Sequence, residues 1–106
     1  MSLDVYLLED SERVYERNIT HNVNKIAIEA GCYEPLWRPD EIGLSTAGEL
    51  IEPLEKGLEA LLADPARFEC LNPSNGWGSY GGLLAFVACY LQGCRKHPGA
   101  LVEVSR

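Results

Sequence analysis

Basic residues and long apolar runs are scarce in this sequence. Lys and Arg together number 9 against 16 Asp and Glu in 106 residues, which gives a formal net charge of −7. Because binding to a phosphate backbone draws its affinity from basic side chains that displace counterions, this balance argues against nucleic acid as a partner. The longest apolar run, residues 83–91, has nine residues, about half of what a membrane span requires. We therefore expect no membrane partner.

The four cysteines are too few for a disulfide scaffold, and their spacing fits no metal site. The four cysteines form no C-x-x-C pair, and neither His21 nor His97 stands at zinc-ligand spacing from them. No basic segment precedes an apolar stretch near the start, so we expect no secretory leader. The sequence therefore predicts reduced thiols, no metal, no cofactor and a cytoplasmic location.

The hydrophobic periodicity predicts one domain that begins with a β-hairpin and continues as helices. Residues 3–8 and 13–19 alternate like strands, with four polar residues between them. Thr20 then caps a helix that Gly31 ends, and residues 32–43 are expected to be an irregular connector with a turn at 39–42. Ser45 or Thr46 begins a second helix, in which Pro53 predicts a kink or a restart.

The C-terminal half closes the predicted fold. A short extra turn follows Pro65, Ser79 or a neighbouring residue begins a strongly apolar helix, and residues 100–104 form a last strand. The sequence therefore predicts a single α+β domain over residues 1–106, with a small three-stranded antiparallel sheet packed against three to four helices. The sheet comprises the two N-terminal strands and the C-terminal strand. Two open sheet edges, together with the apolar last helix, favour a homo-oligomer.

The second helix carries a row of glutamates at helical spacing, namely Glu49, Glu52, Glu55 and Glu59. A solvated outer face explains this row, and a docking surface for a basic partner is the functional alternative. None of these carboxylates is predicted to be desolvated, so no catalytic pair is expected among them.

The run N-I-T-H-N, where the second strand gives way to a helix, is the first candidate site. Free N–H groups at a helix start suit an anion such as phosphate, and polar side chains there can bind a sugar or a base. The alternative is that these residues only satisfy the turn. The candidate ligand-binding residues in this run are Asn18, Thr20, His21 and Asn22.

The glycine-rich loop N-G-W-G-S-Y-G-G is the second candidate site. Trp77 and Tyr80 are three residues apart and can present stacked rings to a planar ligand, with Asn75 beside them. The connector adds Trp37 and Arg38, whose guanidinium suits a phosphate or a carboxylate. Alternatively, the two tryptophans fill the core.

These motifs together resemble a family of small phage- and prophage-encoded proteins. The resemblance covers nearly the whole chain and rests on S-L-D-V-Y-L, N-I-T-H-N, L-W-R-P-D-E-I-G, N-P-S-N-G-W-G-S-Y and V-E-V-S-R, in that order. It implies a mobile-element context, the cytosol of an infected cell, and a role against host defence. It carries no catalytic residue with it.

Two classes of function compete on this basis. The first is a non-catalytic protein that binds and sequesters a nucleotide-like signalling molecule through the two candidate sites. The second is a protein–protein inhibitor of a host defence complex, acting through the acidic helix. A small nucleotide-processing enzyme is a third alternative, in which His21 is the only candidate base.

Overall fold

The computed structural model describes residues 2–106 and contains three strands, five α-helices and two short 3-10 helices. The hairpin and the acidic helix stand where the sequence predicts them. The elements in chain order are β1 Ser2–Glu9, β2 Glu12–Thr20, a 3-10 helix His21–Val23, α1 Asn24–Ala30, α2 Tyr33–Trp37, a 3-10 helix Pro39–Ile42, α3 Ala47–Ala63, α4 Pro65–Glu69, α5 Tyr80–Lys96 and β3 Leu101–Ser105.

The three strands form an antiparallel sheet in the order β2-β1-β3. The hairpin is tighter than expected, because Asp10 and Ser11 alone make the turn with φ of 51° and 67°. Positive φ at both central residues is the two-residue turn whose twist matches that of the strands. The expected four-residue loop is therefore wrong by one residue on each side.

One face of the sheet meets the helices and forms the core. Leu3, Val5 and Leu7 alternate inward along β1 and are fully buried, whereas their neighbours on the other face are partly exposed. Leu50 of α3 and Leu83 of α5 lie in the same hydrophobic cluster. The α+β fold with a three-stranded antiparallel sheet is thus confirmed.

The connector is more ordered than the sequence suggests. Residues 32–43 contain α2 and a 3-10 helix, so the expectation of irregular chain there is wrong. Burial explains the difference, because Pro35, Leu36 and Trp37 all face the interior and a helical turn satisfies their backbone locally. This helix raises the count above the three to four expected.

Pro53 neither ends nor restarts α3, which runs from Ala47 to Ala63 without interruption. A proline costs the helix one hydrogen bond at most positions. The buried stripe of Leu50, Leu54 and Leu61 and a capping box at Thr46 outweigh that loss.

The two edges of the sheet differ. The N–H of Val102 in β3 donates to the carbonyl of Ser45 at 2.9 Å, and Thr46 bridges to Leu101, so part of that edge is covered. Within residues 2–106, β2 pairs with β1 alone. Among the helices of that same range, none has both the length and the apolar composition of a membrane span.

Candidate ligand-binding cleft

The two candidate regions of the sequence meet in space. The glycine-rich loop lies against the turn that follows β2, and Gly78 is the contact point. A Cβ on Gly78 would lie 2.6 Å from Cγ2 of Thr20 and 2.8 Å from Cγ1 of Val23. Only glycine fits here, since φ of Gly78 is also +93°.

A polar cleft of about 590 Å³ opens between this loop and the start of α1. We call it the asparagine cleft. Its lining residues are His21, Asn22, Asn24, Lys25, Cys70, Leu71, Asn72, Pro73, Ser74 and Asn75. His21, Asn22 and Asn75 are predicted site residues, so the structure brings three members of the two motifs to one place.

The chemistry of His21 is determined by a buried neighbour. The indole Nε1–H of Trp37 donates to Nδ1 of His21 at 2.8 Å, and Trp37 is only 2% exposed. Because Nδ1 accepts this hydrogen bond, the proton of the neutral imidazole resides on Nε2. His21 is therefore a hydrogen-bond donor through Nε2, and its lone pair is not available to a general base mechanism.

Two asparagines of the cleft have their carbonyl oxygens engaged as well. Oδ1 of Asn72 accepts from the backbone N–H of Tyr80 at 2.7 Å, and Oδ1 of Asn75 accepts from that of Trp77 at 2.9 Å. Their side-chain NH₂ groups, which can only donate, form no hydrogen bond within residues 2–106. Asn72 and Asn75 thus add donors to the cleft, beside His21 and Lys25.

The positive charge of the molecule is distributed unevenly. Of the nine Lys and Arg side chains, six form ion pairs with carboxylates. Across the described chain, the three without such a partner are Arg17, Lys25 and Lys96, and each lines a cleft with no Asp or Glu in its lining. Lys25 therefore supplies an uncompensated cation to the asparagine cleft.

The start of the first helix, at residues 20–24, offers fewer free N–H groups to a ligand than the sequence predicts. Oγ1 of Thr20 accepts from the N–H of Asn22 at 3.3 Å, and the N–H of Asn24 bonds to the carbonyl of His21. The turn is a 3-10 helix and α1 has only seven residues. Two of the N–H groups at this helix start are therefore satisfied by the chain and are not free for an anion.

Asn18 lies away from the cleft. Its Nδ2 donates to Oγ of Ser2 at 2.8 Å and to Oδ1 of Asp4 at 2.7 Å, across the β1–β2 ladder. Asn18 and Asp4 face each other in the register. The side chain of Asn18 therefore stabilises the sheet and does not join His21.

The aromatic residues divide between core and surface. Tyr80 is buried, stacks on Phe68 at 6.1 Å between ring centroids, and its hydroxyl donates to the carbonyl of Leu61. Trp77 is 70% exposed on the loop that carries Asn75. The expected surface pair of Trp77 and Tyr80 is therefore not formed, and Trp37 lies in the core.

Arg38 is engaged by its own segment. Its Nη1 donates to Glu41 at 2.6 Å, and its Nε donates to the hydroxyl of Tyr33 at 3.3 Å. The guanidinium is absent from the lining of the asparagine cleft. Arg38 thus stabilises the connector, which corrects its expected role as the ligand's cation.

Most of the acidic row is also occupied within the chain. Oε1 of Glu49 accepts from the N–H groups of Ser45 and Thr46 at 3.0 Å each and closes the capping box of α3. Lys56 pairs with Glu52 and Arg95 pairs with Glu55, each at 3.1 Å. Glu59 alone has no such partner among the described residues.

Lys25, Asn72 and Cys70 belong to the cleft but were not predicted from the sequence. Lys25 lies four residues after His21, a spacing that places both on one face of a helix. That spacing was the available signal for Lys25. Asn72 and Cys70 carried none, because their position depends on how the loop folds back onto the turn.

Comparison with protein-family models, with curated proteins and with solved structures gives no match to this chain. Within residues 2–106 no group of His, Cys, Asp or Glu is arranged to hold a metal ion.

Proposed function

We propose that this protein is a non-catalytic binding protein that sequesters a nucleotide-like, phosphate-bearing molecule in the asparagine cleft. The observation that carries the proposal is the hydrogen bond from Trp37 to Nδ1 of His21, which leaves Nε2–H of His21 as a donor. The donors of His21, Asn72 and Asn75, together with the cation of Lys25, suit a ligand rich in acceptors.

A nucleotide fits this chemistry well. Its phosphate and ribose oxygens match Lys25, His21 and the asparagine NH₂ groups, and the cleft volume is within the ordinary range for small-molecule sites. Trp77 is exposed two residues after Asn75 but is not among the described residues that line the cleft, so the match rests on the polar groups. The resemblance to phage-encoded proteins supports a nucleotide signal of host defence as the physiological ligand.

The alternatives have less support. A protein–protein inhibitor acting through the acidic row would have to exchange existing contacts, because Glu49 caps α3 and Glu52 and Glu55 form exposed ion pairs. A nucleotide-processing enzyme needs a base, but the indole of Trp37 occupies the lone pair of His21. We therefore place sequestration first.

The test measures thermal unfolding against mono-, di- and cyclic nucleotides and ADP-ribose, with ribose and inorganic phosphate beside them. A ligand at a hundred times its dissociation constant adds about 2.7 kcal/mol, which raises the melting temperature of a domain of this size by roughly 10 °C or more. We expect Lys25→Gln to reduce that shift.

Lys56→Gln is the matched control, because it removes the same charge from α3, outside the cleft. Stabilisation that persists unchanged in Lys25→Gln would place the ligand elsewhere. A panel in which no phosphate-bearing compound stabilises the protein would contradict the proposal, as would turnover of a bound nucleotide.

A further inference from the structure

The uncovered edge of β2 runs beside α5. A Cβ on Gly93 would lie 2.9 Å from Cδ2 of Tyr15, so the start of β2 lies against the end of α5. At the other end of both elements, Thr20 of β2 and Gly82 of α5 line the same cleft, so the end of β2 lies near the start of α5. The strand from Tyr15 to Thr20 rises about 17 Å, and the helix from Gly82 to Gly93 rises about 17 Å as well. Strand and helix therefore run antiparallel over the same length.

Two clefts, of about 250 Å³ and about 530 Å³, lie along this seam. We call them together the edge groove. The β2 wall consists of Tyr15, Arg17, Asn18, Ile19 and Thr20. The α5 wall consists of Ser79, Gly82, Leu83, Phe86, Cys89, Gln92, Gly93, Arg95 and Lys96. The groove thus combines a strand edge with a helix flank, which is the arrangement that receives an added strand in peptide-binding domains.

The strand edge is regular where the groove lies. The irregularity in the β1–β2 ladder occurs near Val14, between the pairs Leu7–Tyr15 and Leu8–Arg13. Residues 15–20 beyond it pair with β1 one to one. Within residues 2–106 they form no backbone–backbone hydrogen bond outside that ladder. Their outward N–H and C=O groups can therefore pair with another strand.

The charge of the groove selects the kind of strand. Arg17 and Lys96 have no ion-pair partner in the described chain, and Arg95 pairs with Glu55 at 3.1 Å. Among residues 2–106 no Asp or Glu lines either cleft, although the chain has a net charge of −7. Arg17 is paired with Val5 across the β1–β2 ladder, so the two side chains lie on the same face of the sheet. Val5 is buried, so this is the face on which α5 packs.

We propose that the edge groove binds an extended acidic segment of another protein as a fourth strand beside β2, with its carboxylates on Arg17 and Lys96. Backbone pairing supplies sequence-independent affinity, and the two cations select acidic side chains. A second copy of this chain is a poorer occupant, because it would bring its own Arg17 and Lys96 to the same groove. This surface is separate from the asparagine cleft, so neither proposal depends on the other.

The test uses fluorescein-labelled peptides of roughly eight residues, the length of an ordinary strand. One alternates Val and Glu, one alternates Val and Lys, and one repeats the acidic sequence with alternate backbone nitrogens methylated. We expect anisotropy to show binding of the acidic peptide alone, and hydrogen exchange to show new protection of residues 15–20. Methylation removes the donors that pair strands, so it should abolish both signals.

The variant Arg17→Gln/Lys96→Gln should weaken binding about tenfold, since exposed charge contacts contribute up to about 1 kcal/mol each. Lys56→Gln/Arg67→Gln makes the same change in net charge elsewhere and should bind normally. The proposal is overturned by no binding at about 1 mM peptide, where the binding free energy is only about −4 kcal/mol. It is also overturned by equal affinity for the lysine peptide. A third contradicting result is that residues 15–20 are already protected without peptide and that sedimentation shows self-association of the protein.

Discussion

The contact between Trp37 and His21 determines which chemistry a surface histidine can perform. A free imidazole can donate or accept at either nitrogen, whereas the buried indole at 2.8 Å restricts His21 to one tautomer. Trp37 is held in turn by stacking on Tyr33, with ring centroids 5.4 Å apart. A core residue that is not among the described lining residues of the cleft therefore orients a donor of that lining.

Trp37→Phe tests this positioning. Phenylalanine keeps a ring against Tyr33 but lacks the N–H, so the free energy of unfolding should fall by at least about 1 kcal/mol. The ¹⁵N spectrum of the His21 imidazole should change from one tautomer to a mixture, and affinity for the phosphate-bearing ligand should fall. An unchanged imidazole spectrum would show that another group determines the tautomer.

Two glycines of the glycine-rich loop, Gly76 and Gly78, allow a controlled comparison of single alanine substitutions. Gly76 and Gly78 both have positive φ, but a Cβ on Gly76 meets nothing within 4 Å, whereas one on Gly78 would overlap Thr20 and Val23. Gly76→Ala should cost about 1 kcal/mol, the usual strain of a left-handed residue. Gly78→Ala should cost more and also lower ligand affinity, as measured by urea unfolding and thermal shift. Equal costs would show that the loop does not depend on this contact.

At the scale of elements, the start of α3 shows that one glutamate of the row has a structural role. Glu49 has the helical spacing of the acidic row, but its carboxylate closes the capping box with Thr46. Backbone N–H groups of Ser45 and then Thr46 donate to it and lower the pKa of Glu49 below its ordinary value of 4.5. The sequence contained this motif, because a threonine three residues before a glutamate is its signature.

The pH dependence of unfolding in acid should depend on the capping interaction of Glu49. Since the folded state lowers the pKa of Glu49, its contribution to stability is present above about pH 4.5 and is lost as the pH falls below that value. Glu49→Gln should therefore reduce the melting temperature at neutral pH and flatten its decline in acid. Glu59→Gln, on the same helix without a partner among residues 2–106, should leave the profile unchanged. Identical profiles for the two variants would contradict the assignment.

At the scale of the whole molecule, burial divides the four cysteines into two groups. Cys32 and Cys94 are fully buried, and desolvation raises the pKa of each thiol to about 12. Cys70 is exposed in the asparagine cleft and Cys89 is partly exposed in the edge groove. The thiolate is the reactive form, so only the second pair should be accessible to a reagent.

A thiol-specific disulfide reagent should therefore modify two cysteines in the native protein and four after unfolding. Ligand in the asparagine cleft should slow modification of Cys70 but leave Cys89 unaffected, which peptide mass spectrometry can resolve. The acidic peptide should have the opposite effect. Cys32 packs closely against Gly57, since a Cβ built on Gly57 would lie 2.6 Å from Cβ of Cys32. Rapid modification of Cys32 in the native state would show that this packing opens in solution.

The sequence by itself determined the class of fold and most of the elements. Alternation at period two specified the hairpin and the last strand, and Gly31 ended its helix at φ of 78° as a left-handed cap requires. These features depend on residues close together in the chain. The same is true of the N-cap at Ser79, whose hydroxyl accepts from the N–H of Gly82.

Only the tertiary structure decided which polar residues share a site. Residues 70–79 fold back onto residues 20–25, which brings His21, Lys25 and Asn75 to one cleft and leaves Asn18 and Arg38 bonded elsewhere. It also placed Trp37 inside and Trp77 outside. Ion pairs formed across long separations, such as Arg95 with Glu55, decided which charges stay free. Periodicity within one element carries no information about such contacts, because they depend on how separate elements pack.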